Sequence, residues 1–149
     1  MKQLFIDNGL EEYQLTEGGA LLRFNPKDQN LYARFIESTD KIKAVEKEMA
    51  EKANRVDRGK PDAGEQTLKI MRETDRRMKE ILNQVFGHNN DFDAILCGVN
   101  LMAVGSNGKR LVENVMEALL PIMEAGAKAC VQESVDEARA AREARRANQ

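Results

Sequence analysis

Apolar positions change their period once along this chain, at the passage Arg23-Phe24-Asn25-Pro26-Lys27-Asp28. Before it they come in short runs broken by turn residues. After it they recur at helical spacing. Gln3 to Ile6 predicts a short strand, and Asp7-Asn8-Gly9 a tight turn, because Asn and Gly tolerate the positive φ that hairpin turns require. A returning strand follows over about Leu10 to Thr16, then a turn at Glu17-Gly18-Gly19, then a third strand over Ala20 to Phe24. The result is a three-stranded antiparallel β-meander with one apolar face, which needs a helix to cover it. Pro26 suits a first helical turn, Asn25 before it suits the N-cap, and Asp28 adds negative charge where the helix dipole favours it.

From Pro26 to about Arg58 the pattern predicts one long helix. Phe35, Ile42, Met49 and Val56 recur every seven residues, with Leu31, Ser38 and Val45 as the second seam position. So narrow a stripe on a charged helix calls for a partner along the seam. Arg58 to Gly64 breaks the pattern. A second helix follows over about Ala63 to Phe86, with Leu68, Met71, Met78, Leu82 and Val85 at helical spacing, ended by Gly87. The short break makes the two an antiparallel pair. A polar loop spans His88 to Asp93, a short helix Ala94 to Val104, and a turn Gly105-Ser106-Asn107-Gly108. The last helix starts at Lys109 and carries two apolar stripes, and Pro121 should bend or divide it. Leu111, Val115, Ala118 and Ile122 form the stripe assigned to the core, because β-branched residues specify a fixed packing. Val112, Met116, Leu119 and Met123 form the stripe assigned to a partner or to self-association, because methionines repack readily. The fold class is α+β. One domain spans 1–149: a β-meander over 1–24, a long αα-hairpin over 26–86, C-terminal helices over 94–131 and a charged helical tail over 132–149.

Composition narrows the function. Charged residues make up 32% of the chain and both signs are mixed, for a net charge of −2. Nucleic-acid binding needs a basic excess, so none is expected. No apolar run approaches the roughly 20 residues that span a membrane, and no signal peptide is expected. The two cysteines, Cys97 and Cys130, lack metal-ligand spacing and read as free thiols in a reducing cytoplasm, small buried hydrophobes on or near apolar faces.

Candidate chemistry is sparse. Gly105-Ser106-Asn107-Gly108-Lys109-Arg110 has Ala103 and Arg110 where a phosphate loop needs Gly and Ser or Thr, so it reads as a turn before a helix. Asn89, Asp91 and Asp93 alternate like the opening of a calcium loop, but Ala94 and Asn100 stand where that loop requires Gly and Glu. His88 is the sole histidine, without a nucleophile or orienting group that the sequence can nominate. Arg139, Arg142, Arg145 and Arg146 are diluted by Asp136, Glu137 and Glu143 and read as a solvated helix. No enzyme, cofactor or metal is expected.

The passage Arg23-Phe24-Asn25-Pro26-Lys27-Asp28 through Phe35 resembles small proteins of phages and prophages of Gram-positive bacteria. So do Val85-Phe86-Gly87 through Phe92-Asp93, and Val104 to Gly108 with the apolar helix after it. These proteins are commonly placed among the tail assembly chaperones of long-tailed phages. The resemblance spans about residues 3 to 125. It implies a non-enzymatic helper that binds the tape measure protein, with the tail tube protein as a further candidate partner, in the host cytoplasm. It also implies a longer relative made by ribosomal frameshifting. A structural component of the virion and a phage-encoded inhibitor of a host defence protein are the alternatives.

Overall fold

The computed structural model describes residues 1–87 and 89–148; the His88 reading lies outside them. The class is α+β with a two-stranded sheet, rather than the expected meander of three. Strand β1 (Glu11–Gln14) pairs antiparallel with β2 (Leu21–Phe24), with Tyr13 opposite Leu22 and Glu12 opposite Arg23. Gln3 to Ile6 forms no strand. The turn residues are engaged differently: Asp7 Oδ1 accepts from the Gly9 N–H, Asn8 Oδ1 accepts from the Leu10 N–H, and Asn25 Nδ2 donates to the Asn8 carbonyl at 3.1 Å. These contacts hold the turn at Asp7 to Leu10, and residues 1–7 form no ladder with β1.

Helix α1 (Gln29–Asn54) begins three residues later than the pattern predicts. Asn25 does not cap it. Its Oδ1 accepts from the Lys27 N–H, which closes a turn around Pro26, and Asp28 is the N-cap, accepting from Asn30 N–H at 3.0 Å. Asp28→Ala is therefore expected to lower stability by about 1 kcal/mol in urea denaturation. The predicted seam is buried at Leu31, Phe35, Ser38, Ile42 and Val45, with Met49 packed against the core. Ser38 satisfies its hydroxyl on the Phe35 carbonyl at 2.6 Å, which lets a polar residue occupy a seam position.

Helix α2 (Ala63–Phe86) returns antiparallel beside α1. Arg34 Nε donates to the Val85 carbonyl at 3.0 Å near one end of the pair, and Glu48 meets Arg77 further along. Met78, Leu82, Val85 and Phe86 are buried, while Leu68 stays exposed. Gly87 ends α2 with φ 96° and ψ 154°, a conformation open to glycine alone rather than the left-handed helical cap. Phe86 joins the layers, because its ring meets Phe24 of β2 at 5.2 Å, Phe35 of α1 at 6.3 Å and Phe92 at 5.5 Å. Asn90 closes the inner edge of the sheet. It takes the Arg23 N–H at 2.8 Å and donates to the Arg23 and Phe86 carbonyls.

The expected helix over 94–104 is reduced to the single turn α3 (Phe92–Ile95), capped by Asp91. Cys97 (φ 55°) and Gly98 (φ 75°) end it. Beyond them the backbone is held by distant groups. Asp75 Oδ1 accepts from the Leu101 N–H at 2.8 Å, Asn100 Nδ2 donates to the Met71 carbonyl, and the Leu101 carbonyl takes the Val112 N–H. Buried Lys79 binds Asp75 at 2.9 Å and Asp93 at 2.6 Å. Burial alone would lower the Lys79 pKa, but the hydrogen bonds its ammonium donates to the two carboxylates outweigh it and the pKa is raised.

Helix α4 (Leu111–Ala147) is continuous. Pro121 does not divide it. The hydrogen bond its ring removes would reach the Glu117 carbonyl, and both residues are exposed, so water can satisfy that group. The helix runs antiparallel to α1: its start, at Val112 and Met116, faces Ile42 and Glu46, and its later turns face the entry of α1. Gly126 lies against the Pro26 carbonyl, Gln29 Nε2 donates to Cys130 Sγ at 3.1 Å, and Lys27 pairs with Glu133 at 2.8 Å. Residues 131–147 continue past the body as an exposed helix.

Candidate partner-binding site

The two stripes of α4 are partitioned differently from the sequence reading. The core takes Val112 (1% exposed), Val115, Leu119 (2%) and Met123 (1%), and Gly126 continues the same face. Three of the four residues assigned to a partner are thus interior, and of that set only Met116 is half-buried. Of the stripe assigned to the core, Val115 alone is buried. Leu111 and Ile122 are half-buried and Ala118 is exposed. The cause is the neighbour. Val112, Leu119 and Gly126 repeat every seven residues, and Gly126 marks where α4 comes closest to the entry of α1. That contact fixes the rotation of the helix, and side-chain branching does not.

Met116 nevertheless lines a feature with binding geometry. Between α1 and α4 lies an open cleft of about 310 Å³. Ile42, Val112 and Met116 give it an apolar floor, Thr39 lies on the α1 side, and the charged heads of Lys43, Glu46, Glu113 and Glu117 rim it. Ile42 comes from the predicted α1 seam. The antiparallel α1–α4 packing brings it opposite Val112, and the interhelical gap is left unfilled beside Met116. Lys109 binds Glu117 at 2.9 Å, and that hydrogen bond raises the Lys109 pKa. The lysine after the glycine turn is thereby held along α4. What remains is an apolar slot with an acidic excess on its rim, able to take one or two apolar side chains from a partner helix and a basic residue beside them.

The other candidates have structural roles. Asp91 caps α3 and Asp93 holds Lys79. Cys97 is exposed rather than buried, with its Sγ 3.5 Å from Thr16 Oγ1, and Cys130 is half-buried beside Gln29. Among the described residues, no group of His, Cys, Asp and Glu is arranged to hold a metal ion, and no helix is long and apolar enough to cross a membrane. Comparison with known proteins finds no matching family model, no matching curated protein and no matching solved structure.

Proposed function

We propose that the chain is a non-catalytic binding protein for an elongated helical partner, held in the α1–α4 cleft. Within that class, we propose a tail assembly chaperone whose partner is a phage tape measure protein. The observation that carries the reading is the cleft itself. Its floor is apolar, its rim is acidic, and it lies lengthwise between two antiparallel helices, where a third helix can lay an apolar stripe. The resemblance at Arg23 to Phe35 and at Val85 to Asp93 supplies the choice of partner. A tape measure is long and helical, and its apolar stripe needs cover until tube subunits assemble around it.

Co-expression is expected to raise the soluble yield of a tape measure protein and to give a complex that co-purifies. Met116→Lys places a charge on the cleft floor and is expected to weaken that complex about tenfold or more. Its effect on the stability of the free chain should stay below about 1 kcal/mol, because a half-buried lysine can extend its ammonium to water. A tape measure protein that gains no solubility, or a complex indifferent to Met116→Lys, would remove the case for this site.

A further inference from the structure

Residues 1–10 carry no secondary structure and all are exposed. Within them Leu4, Phe5 and Ile6 are 94%, 90% and 82% exposed. Three consecutive exposed apolar side chains outside any regular element form a segment ready to join a sheet. The chain also presents an open sheet edge. Arg23 of β2 turns its N–H and C=O toward Asn90, so the Arg23–Glu12 pair is not hydrogen-bonded across the hairpin. By alternation, the backbone groups of Glu12 and Gln14 face outward from β1. Among the described residues, no backbone group of the chain pairs with that edge.

The segment does not cover the edge of its own chain. Asn25 grips the Asn8 carbonyl, and its side chain occupies the space beside Gly9, so the root of the arm is held by Asn25 while residues 1–7 pair with no strand. We propose that the Leu4–Ile6 arm of one copy of this chain adds as a third strand to the free edge of β1 in a second copy, and that the exchange is reciprocal. A parallel alignment sets Lys2 beside Glu11, Leu4 beside Tyr13 and Ile6 beside Leu15, all on one face. Tyr13 and Leu15 are half-buried, packed at the margin of the core, and Glu11 supplies the charge opposite Lys2. Donor and acceptor both belong to every copy, so two exchanges close a two-fold dimer with no arm or edge left over. A two-stranded ribbon becomes a three-stranded sheet on each side. The surface used is separate from the α1–α4 cleft.

Light scattering on the full chain tests the proposal. The unaltered protein is expected to be dimeric at about 100 μM. The variant Leu4→Glu/Ile6→Glu is expected to be monomeric at that concentration, with unchanged far-ultraviolet circular dichroism. Hydrogen exchange then identifies the acceptor. The amides of Glu12 and Gln14 should exchange about tenfold or more faster in the variant, while the Leu82 and Val85 amides of α2 stay protected. A monomeric unaltered protein, a variant that remains dimeric, or Glu12 and Gln14 amides that exchange alike in both proteins would each overturn it.

Discussion

Phe86→Ala is expected to destabilise the fold by about 3–5 kcal/mol, the range for truncating a buried aromatic side chain. Its position places it at the upper end. The Phe86 ring contacts Phe24, Phe35 and Phe92, which belong to β2, α1 and α3, and Tyr13 stacks on Phe24 at 4.9 Å. Five of the chain's seven Tyr and Phe residues therefore form one connected cluster. Removing its central ring leaves a cavity bounded by rigid neighbours, which can relax only partly. The hairpin has little else to hold it, since a sheet of two four-residue strands is marginal without the helices behind it. Urea denaturation should show a transition at much lower concentration. Phe86→Leu, which keeps part of the volume, should recover about half of the loss. Equal stability of the Ala variant and the parent would show that the cluster does not join sheet and helices as described.

What the pattern of residues disclosed depended on whether a segment's conformation is decided nearby or far away. The α1 seam was legible because period alone determines which face of a long helix is apolar, and Leu31, Phe35, Ile42 and Val45 all lie in the core. The α2 seam was legible for the same reason, except at Leu68, which lies beyond the reach of the core. The strand at Gln3 to Ile6 was not. Asn8-Gly9 carries a hairpin signal, but Asn25, seventeen residues away, competes for the Asn8 carbonyl. The helix over 94–104 failed similarly, because Asp75 on α2 captures the Leu101 N–H and Lys79 holds Asp93 just before it. For the candidate site, Met116 and Val112 were singled out and do line the cleft. Ile42 was read only as a seam residue, because no local signal says that α4 lies opposite it. The assignment of the α4 stripes rested on side-chain branching, whereas one glycine decides which stripe faces α1.

That glycine gives the last expected result. Gly126→Ala should destabilise the chain by about 2–3 kcal/mol, the range for forcing extra atoms into a packed interface. The sign is opposite to the usual one, since alanine in a helix interior is ordinarily favoured over glycine by about 1 kcal/mol. Here a Cβ would overlap the Pro26 carbonyl and lie 3.3 Å from the Lys27 nitrogen. Both obstacles are backbone, in the turn that Asn25 and Asp28 hold, so no side chain can swing aside. α4 would have to lift from the entry of α1, loosening Gln29–Cys130 and Lys27–Glu133. Gly64 of α2 provides the control on the same chain. A Cβ there meets nothing within 4 Å, so Gly64→Ala should stabilise by about 0.5–1 kcal/mol. Opposite shifts of the two denaturation midpoints, with faster amide exchange over residues 126–133 in the Gly126 variant alone, are the expected outcome. A Gly126→Ala protein as stable as its parent would mean that α4 does not approach Pro26 this closely, and the rotation that buries Val112, Leu119 and Met123 would lose its basis.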